Sequence, residues 1–147
     1  MNKVCVVLLV CLIFISCAEE VEPLKPLQKG MPNTITLSTG KVVYNLAGEW
    51  DAFYDGGATG TGKGIVKIAQ DGNQFVAIDL IGNESASKSS ETIKGELEKN
   101  GFKSLSANTM HGWKPASGKI GENCNQIVIK ANIDMAWENI VITLTRK

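Results

Sequence analysis

From Thr34 onward, apolar and polar residues alternate with a period of two, the signature of strands with one face buried. Thr34-Ile35-Thr36-Leu37-Ser38 alternates, Thr39-Gly40 turns the chain, and Lys41 to Asn45 forms a second short segment. Gly48 to Tyr54 sets Trp50, Ala52 and Tyr54 on one face. Ile65 to Gln70 and Gln74 to Ile81 flank Asp71-Gly72 and predict a hairpin, because Asp-Gly supplies the positive φ angles of a type I′ turn. Glu91 to Glu98, with Ile93 and Leu97 on one face, is returned by Lys99-Asn100-Gly101 into Phe102 to Asn108. Gly118 to Gly121 and Gln126 to Ala131 predict a further pair, and Trp137 to Arg146 alternates Ile140, Ile142 and Leu144 with Val141, Thr143 and Thr145. The best helical candidate, Ser85 to Lys94, is polar and Ser-rich and is expected as a short helix or a loop. Short strands at even spacing predict an all-β fold, an antiparallel meander closed as an eight-stranded barrel. A parallel α/β sheet is excluded, since each crossover needs about a dozen residues.

The first residues follow a different rule. Lys3 gives a positive start, Val4 to Ile15 is almost unbroken apolar sequence, and Ser16 precedes Cys17. This is the layout of a secretory signal. Phe14-Ile15-Ser16-Cys17 resembles a bacterial lipobox, which implies cleavage before Cys17 and lipid attachment to it. An uncleaved transmembrane anchor needs about 20 apolar residues, more than this run holds before Glu19 and Glu20. A plain secretory cut fits less well, because Phe14 stands where a small residue is wanted. The expected organisation is a signal over 1–16, lipidated Cys17 and a Pro-containing tether over 17–33, and a barrel domain over 34–147. The expected address is the bacterial cell envelope, outside the cytoplasm. With Ala18 rather than Asp after Cys17, the outer membrane is expected in a two-membrane organism.

Composition narrows the function classes. Of four cysteines, Cys5 and Cys11 leave with the signal and Cys17 carries lipid, so Cys124 stands alone and no disulfide staples the domain. With His111 the single histidine, a metal site is not expected. About 130 mature residues suffice for one core. Cleavage removes Lys3 and leaves 14 basic against 15 acidic residues, a net of −1, so no nucleic-acid partner and no polybasic membrane contact is expected. Membrane attachment would come from the acyl chains on Cys17.

Two motifs bear on the barrel. Gly57-Ala58-Thr59-Gly60-Thr61-Gly62-Lys63-Gly64 nearly spells a phosphate-binding loop, but Gly64 replaces the Mg²⁺-binding hydroxyl and a strand rather than a helix follows. It reads as a flexible glycine-rich hairpin loop with Lys63 in solvent. Gly48-Glu49-Trp50, paired with Arg146 near the end of the last strand, is similar to the calycin superfamily of lipocalins, fatty-acid-binding proteins and avidins. That resemblance implies a first barrel strand carrying G-x-W and a terminal cation packed across the indole to close the barrel base, the role expected of Gly48, Trp50 and Arg146. The biotin contacts of avidins do not map onto this chain, so the resemblance carries over no ligand residues.

Candidate interior positions for a ligand are Tyr54, Val66, Ile68, Ile78, Leu80, Leu97, Ile142 and Leu144, with dry core as their alternative role. Trp113 and Trp137 are read as packing residues, with Trp113 in a loop-like segment. Asn83-Glu84-Ser85 is formally a glycosylation sequon, without consequence in a bacterial lipoprotein. The leading expectation is a binding module for a small apolar or amphipathic molecule. The alternative is a filled barrel docking to an envelope protein partner. No cofactor and no enzymatic activity is expected, since no nucleophile and base stand at a recognisable spacing. Replacing Cys17 with Ala is expected to abolish acyl labelling and release the protein from membranes, as followed by fractionation.

Overall fold

The computed structural model describes residues 33–56, 60–82, 87–109, 112–133 and 138–147. The leader, Cys17 and the tether lie outside the described residues, as do His111, Trp137, Asn83-Glu84-Ser85 and Gly57 to Thr59. Ten strands follow in chain order: β1 (Thr34–Thr36), β2 (Val42–Tyr44), β3 (Gly48–Asp55), β4 (Thr61–Asp71), β5 (Gln74–Asp79), β6 (Glu91–Glu98), β7 (Gly101–Thr109), β8 (Gly112–Ile120), β9 (Gln126–Ile133) and β10 (Glu138–Arg146). Among the described residues there is no helix; of the Ser85 to Lys94 candidate, the described part is a turn at Ser87–Ser90 and the start of β6, and Ser85 and Ala86 lie outside it.

Strands β3 to β10 form a closed antiparallel barrel in chain order, and β10 returns to pair with β3. The closing register runs from Val141 opposite Asp55 to Arg146 opposite Trp50. Closure leaves the ring without an open edge, so every barrel strand has two neighbours. Strands β1 and β2 form a separate two-stranded sheet. They pack where β4 turns into β5 and β6 into β7, with Val43 and Leu46 in the core and Leu37 against Gly72. Gln70 ties this hairpin down. Its Oε1 accepts from the Leu46 amide at 2.7 Å, and its Nε2 donates to the Tyr44 and Gly72 carbonyls at 2.9 Å.

Three local expectations are corrected by the pairing. The β4–β5 turn is Gly72-Asn73, since Asp71 already pairs with Gln74. Gly72 has φ +57° and Asn73 is not in the positive region, the pattern of a type II′ turn rather than I′. The glycine-rich segment is not wholly a loop: Thr61 to Gly64 is the first part of β4, paired with Ala52 to Asp55 of β3. The segment around Trp113 is also strand. β8 begins at Gly112, six residues before the expected start at Gly118. Pro115 is tolerated there because the β8–β9 ladder begins at Ala116, so no donor is required of it on that side.

The interior is graded along the barrel axis. Near the end covered by β1–β2 it holds Trp50, Ile68, Leu97, Leu105, Ile127 and Leu144, all buried. Two glycines make this packing possible. A Cβ at Gly118 would come 2.9 Å from Leu105 and 3.0 Å from Phe102, and one at Gly95 would strike the Ser104 carbonyl and the Phe75 ring. Phe75 and Phe102 fill the space so released, their centroids 5.6 Å apart.

The base is closed by Arg146. Its guanidinium lies 4.4 Å from the Trp50 ring centroid. Its Nη2 donates to the Asn45 carbonyl at 2.6 Å, its Nη1 to Ala47 at 3.2 Å and its Nε to Cys124 at 3.1 Å. Trp50 is fully buried and its Nε1 donates to the Leu46 carbonyl at 2.9 Å. Gly48, at φ +130°, lets the chain leave Asn45–Ala47 and enter β3 with the indole turned inward. Replacing Trp50 with Ala is expected to cost about 3–5 kcal/mol in urea unfolding. Arg146→Lys, which keeps the charge but loses the planar fork, is expected to cost about 1–3 kcal/mol. The double variant should lose less than the two together, because both singles break the same stack.

Candidate functional site

β3 and β5 run in the same direction, away from the Trp50–Arg146 base. Each delivers a polar side chain to the barrel interior at its far end: Tyr54, next to last in β3, and Asp79, last in β5. Strand alternation places them there. Trp50, Ala52 and Tyr54 share one parity of β3, and Phe75, Ala77 and Asp79 share one parity of β5. The Tyr54 ring lies beside Gly62, where a Cβ would sit 3.9 Å from it, and Ile142 is its partner across β10.

Asp79 is completely buried. Its Oδ1 accepts from the amides of Ile81 at 3.0 Å and Gly82 at 2.6 Å, which fixes the carboxylate over the turn that leaves β5. Its backbone is also held, with the amide donating to Ser90 and the carbonyl accepting from Ser89. The other oxygen, Oδ2, is buried without a hydrogen-bond partner among the described residues, and so is Tyr54 Oη. Burial, with the Asp79 charge adding to it, pushes the Tyr54 phenol up to about 12, so it remains a neutral O–H group near neutral pH. Small interior positions near it are Ala77, Ala107 and Ala131, with Gly62 and Gly64 on β4, while Ile93 and Ile142 are larger. Lys114 of β8, opposite Ala107, shares the inward parity of that strand and is half-buried.

The eight candidate ligand positions separate into three groups. Val66, Ile68, Leu97 and Leu144 are at most 2% exposed and Ile142 5%; they lie inside the barrel but in packed core. Tyr54 lies inside, at the polar end. Ile78 and Leu80 do not share the inward parity: they are half-exposed, and Ala77 and Asp79 take the interior places. The reason is that Phe75-Val76-Ala77-Ile78 is apolar on both faces, so its pattern does not say which face turns in. Register with β4 decides it, setting Ala77 opposite Ile68 and Asp79 opposite Val66. Asp79 was therefore missed. A carboxylate at the end of an apolar run reads as a strand terminus, and only the closed ring shows it to be internal.

The larger concave surfaces of the outer wall are of another kind. A groove of about 790 Å³ crosses β4 to β7, bordered by Val76, Lys94, Glu96 and Ser104. Close by, Lys94 Nζ stands 4.1 Å from the Trp113 ring centroid, so Trp113 is an outer-wall residue of β8. Cys124 is buried beneath Arg146, its thiol against the Asn45 carbonyl at 3.4 Å. Burial pushes that thiol up, and the Arg146 contact opposes the shift. Among the described residues no three His, Cys, Asp or Glu side chains gather as a metal would require.

No family model matches the chain, and neither a curated protein nor a solved structure does.

The raised phenol predicts a pH dependence. Below pH 10, the unperturbed tyrosine value, the folded and unfolded states both hold the proton. As pH rises toward about 12, the unfolded chain releases it first, so the stability contributed by neutral Tyr54 is lost across that window. Ultraviolet tyrosinate absorbance of the native protein should show one phenol titrating late. Tyr54→Phe should remove that step and flatten the alkaline loss of stability.

Proposed function

We propose that this chain is an exported, lipid-anchored binding module of calycin-like build, whose barrel takes a small amphipathic molecule at the end away from the Trp50–Arg146 base. The observation that carries this reading is the pair of orphaned polar atoms, Tyr54 Oη and Asp79 Oδ2, both buried. A buried polar group without a partner costs about 1–3 kcal/mol, and a charged one more, so such a pair persists where a partner arrives from outside the chain. Small residues stand near it, Ala77, Ala107, Ala131 and Gly62, with Ile93 and Ile142 as larger apolar neighbours.

The base supports the calycin-like part of the reading. Gly48, Trp50 and Arg146 are arranged as the resemblance implies, with the cation over the indole and the fork on three carbonyls. The leader-like run ending at Cys17 supports export and lipid anchoring, with membrane contact through acyl chains. The role is one of binding, without catalysis and without a cofactor.

A second reading has its own observation. Val66, Ile68, Leu97, Ile142 and Leu144 are sealed in dry core, as in a filled barrel that serves as an envelope interaction protein. Its outer wall would carry the contacts, near exposed Phe53 and Ile81.

Native mass spectrometry of the protein purified from its membrane separates the two. The binding reading expects a small-molecule adduct that disappears when Ala107→Leu fills the upper interior. A clean apo mass, together with a protein partner that remains bound through gentle purification, would favour the filled barrel.

A further inference from the structure

The two orphaned atoms have unequal chemistry, and this bears on what they would hold. Asp79 Oδ2 only accepts. Its companion Oδ1 is already engaged by the Ile81 and Gly82 amides, so the carboxylate cannot rotate away without breaking two bonds of 3.0 and 2.6 Å. Tyr54 Oη accepts on its lone pairs as well as donating. A primary ammonium brings three donors and no acceptor, and can therefore donate to either oxygen while balancing the carboxylate charge. A carboxylate head group offers only acceptors and adds like charge beside Asp79. An alcohol offers one donor and no charge.

We propose that the upper interior selects a small amphiphile with a cationic amine head, its N–H groups donating to Asp79 Oδ2 and Tyr54 Oη and its apolar part lying against Ile142 and the alanines. The inference rests on the interior-binding reading above and adds the class of ligand. Lys114 is also a charged residue on an inward parity at this end, on β8 across from Ala107. The charge felt at Tyr54 is that of Asp79. Its carboxylate is preset by backbone amides rather than by a flexible neighbour, so little ordering is needed when the guest enters.

The test uses three probes of equal chain length: hexylamine, hexanol and hexanoate. Each is titrated into the intact protein at neutral pH, followed by calorimetry and tryptophan fluorescence. Hexylamine is expected to bind at least about tenfold more tightly than hexanol, the ratio given by about 1.4 kcal/mol, and hexanoate to bind weakest. Asp79→Asn retains an oxygen for the Ile81 and Gly82 amides and removes the charge. It is expected to bring hexylamine down to the affinity of hexanol while leaving hexanol little changed. Tyr54→Phe is expected to weaken hexylamine by a smaller factor and provides a second variant should Asp79→Asn fold poorly. Equal affinity for all three probes, or an amine preference that survives Asp79→Asn, overturns the head-group inference and leaves interior binding standing. No uptake of any probe overturns both.

Discussion

The barrel depends on one side chain reaching across its seam. Arg146 belongs to the last strand, yet it stacks on Trp50 of the first and donates to the carbonyls of Asn45 and Ala47, 101 and 99 residues away in sequence. The same guanidinium binds the Cys124 carbonyl in the β8–β9 turn. A meander can be assembled from local hairpins, each closing a short loop. Joining β10 to β3 cannot: it closes a loop of nearly the whole domain, with a correspondingly larger entropic cost. A charge-assisted fork on three carbonyls, laid over a buried indole, offsets that cost at the place where it arises. It also answers the Asn45 and Ala47 carbonyls, in the irregular stretch that leads from β2 into β3.

The barrel is consequently of two kinds along its axis. Around the base the interior is filled with large apolar side chains, the hairpin β1–β2 covers it, and Gln70 binds hairpin to barrel through three backbone groups. This half resembles an ordinary core, and its residues are accounted for by packing. At the other end alanines and Gly62 stand beside Ile93 and Ile142, and among the described residues Tyr54 Oη and Asp79 Oδ2 have no hydrogen-bond partner. Packing alone does not explain why selection of a stable fold would retain two orphaned polar atoms there. Stability and the candidate site thus occupy opposite ends of the same ring, which allows substitutions at one end without undoing the other.

Much of the fold was legible in the chain. Strands β3, β6, β7 and β10 alternate cleanly, and Gly48-x-Trp50 with Arg146 indicated where the first and last strands meet. The misses have physical causes. Gly112, Pro115 and Gly118 are strand breakers by local propensity, so β8 was expected to begin late. In the folded sheet Pro115 precedes the β9 ladder, and Gly118 is needed because Phe102 and Leu105 occupy the space its side chain would take. Thr61 to Gly64 was hidden by its glycines in the same way, since β3 supplies the pairing that local sequence lacks. Of the interior positions, those in strands with one apolar face were placed correctly inside, whereas Ile78 and Leu80 were not.

A period of two reveals that a segment is a strand, and enough such strands in succession reveal a meander. These are consequences of local patterning, and the sequence alone determined them. The period does not reveal which of two apolar faces turns inward. For β5 that choice was made by register against β4, by the irregularity in its pairing with β6 at Ala77 and Ile78, and by closure of the ring. Only the tertiary structure could therefore turn Asp79 into the interior beside Tyr54, because a one-residue change of register exchanges every side chain between lumen and solvent.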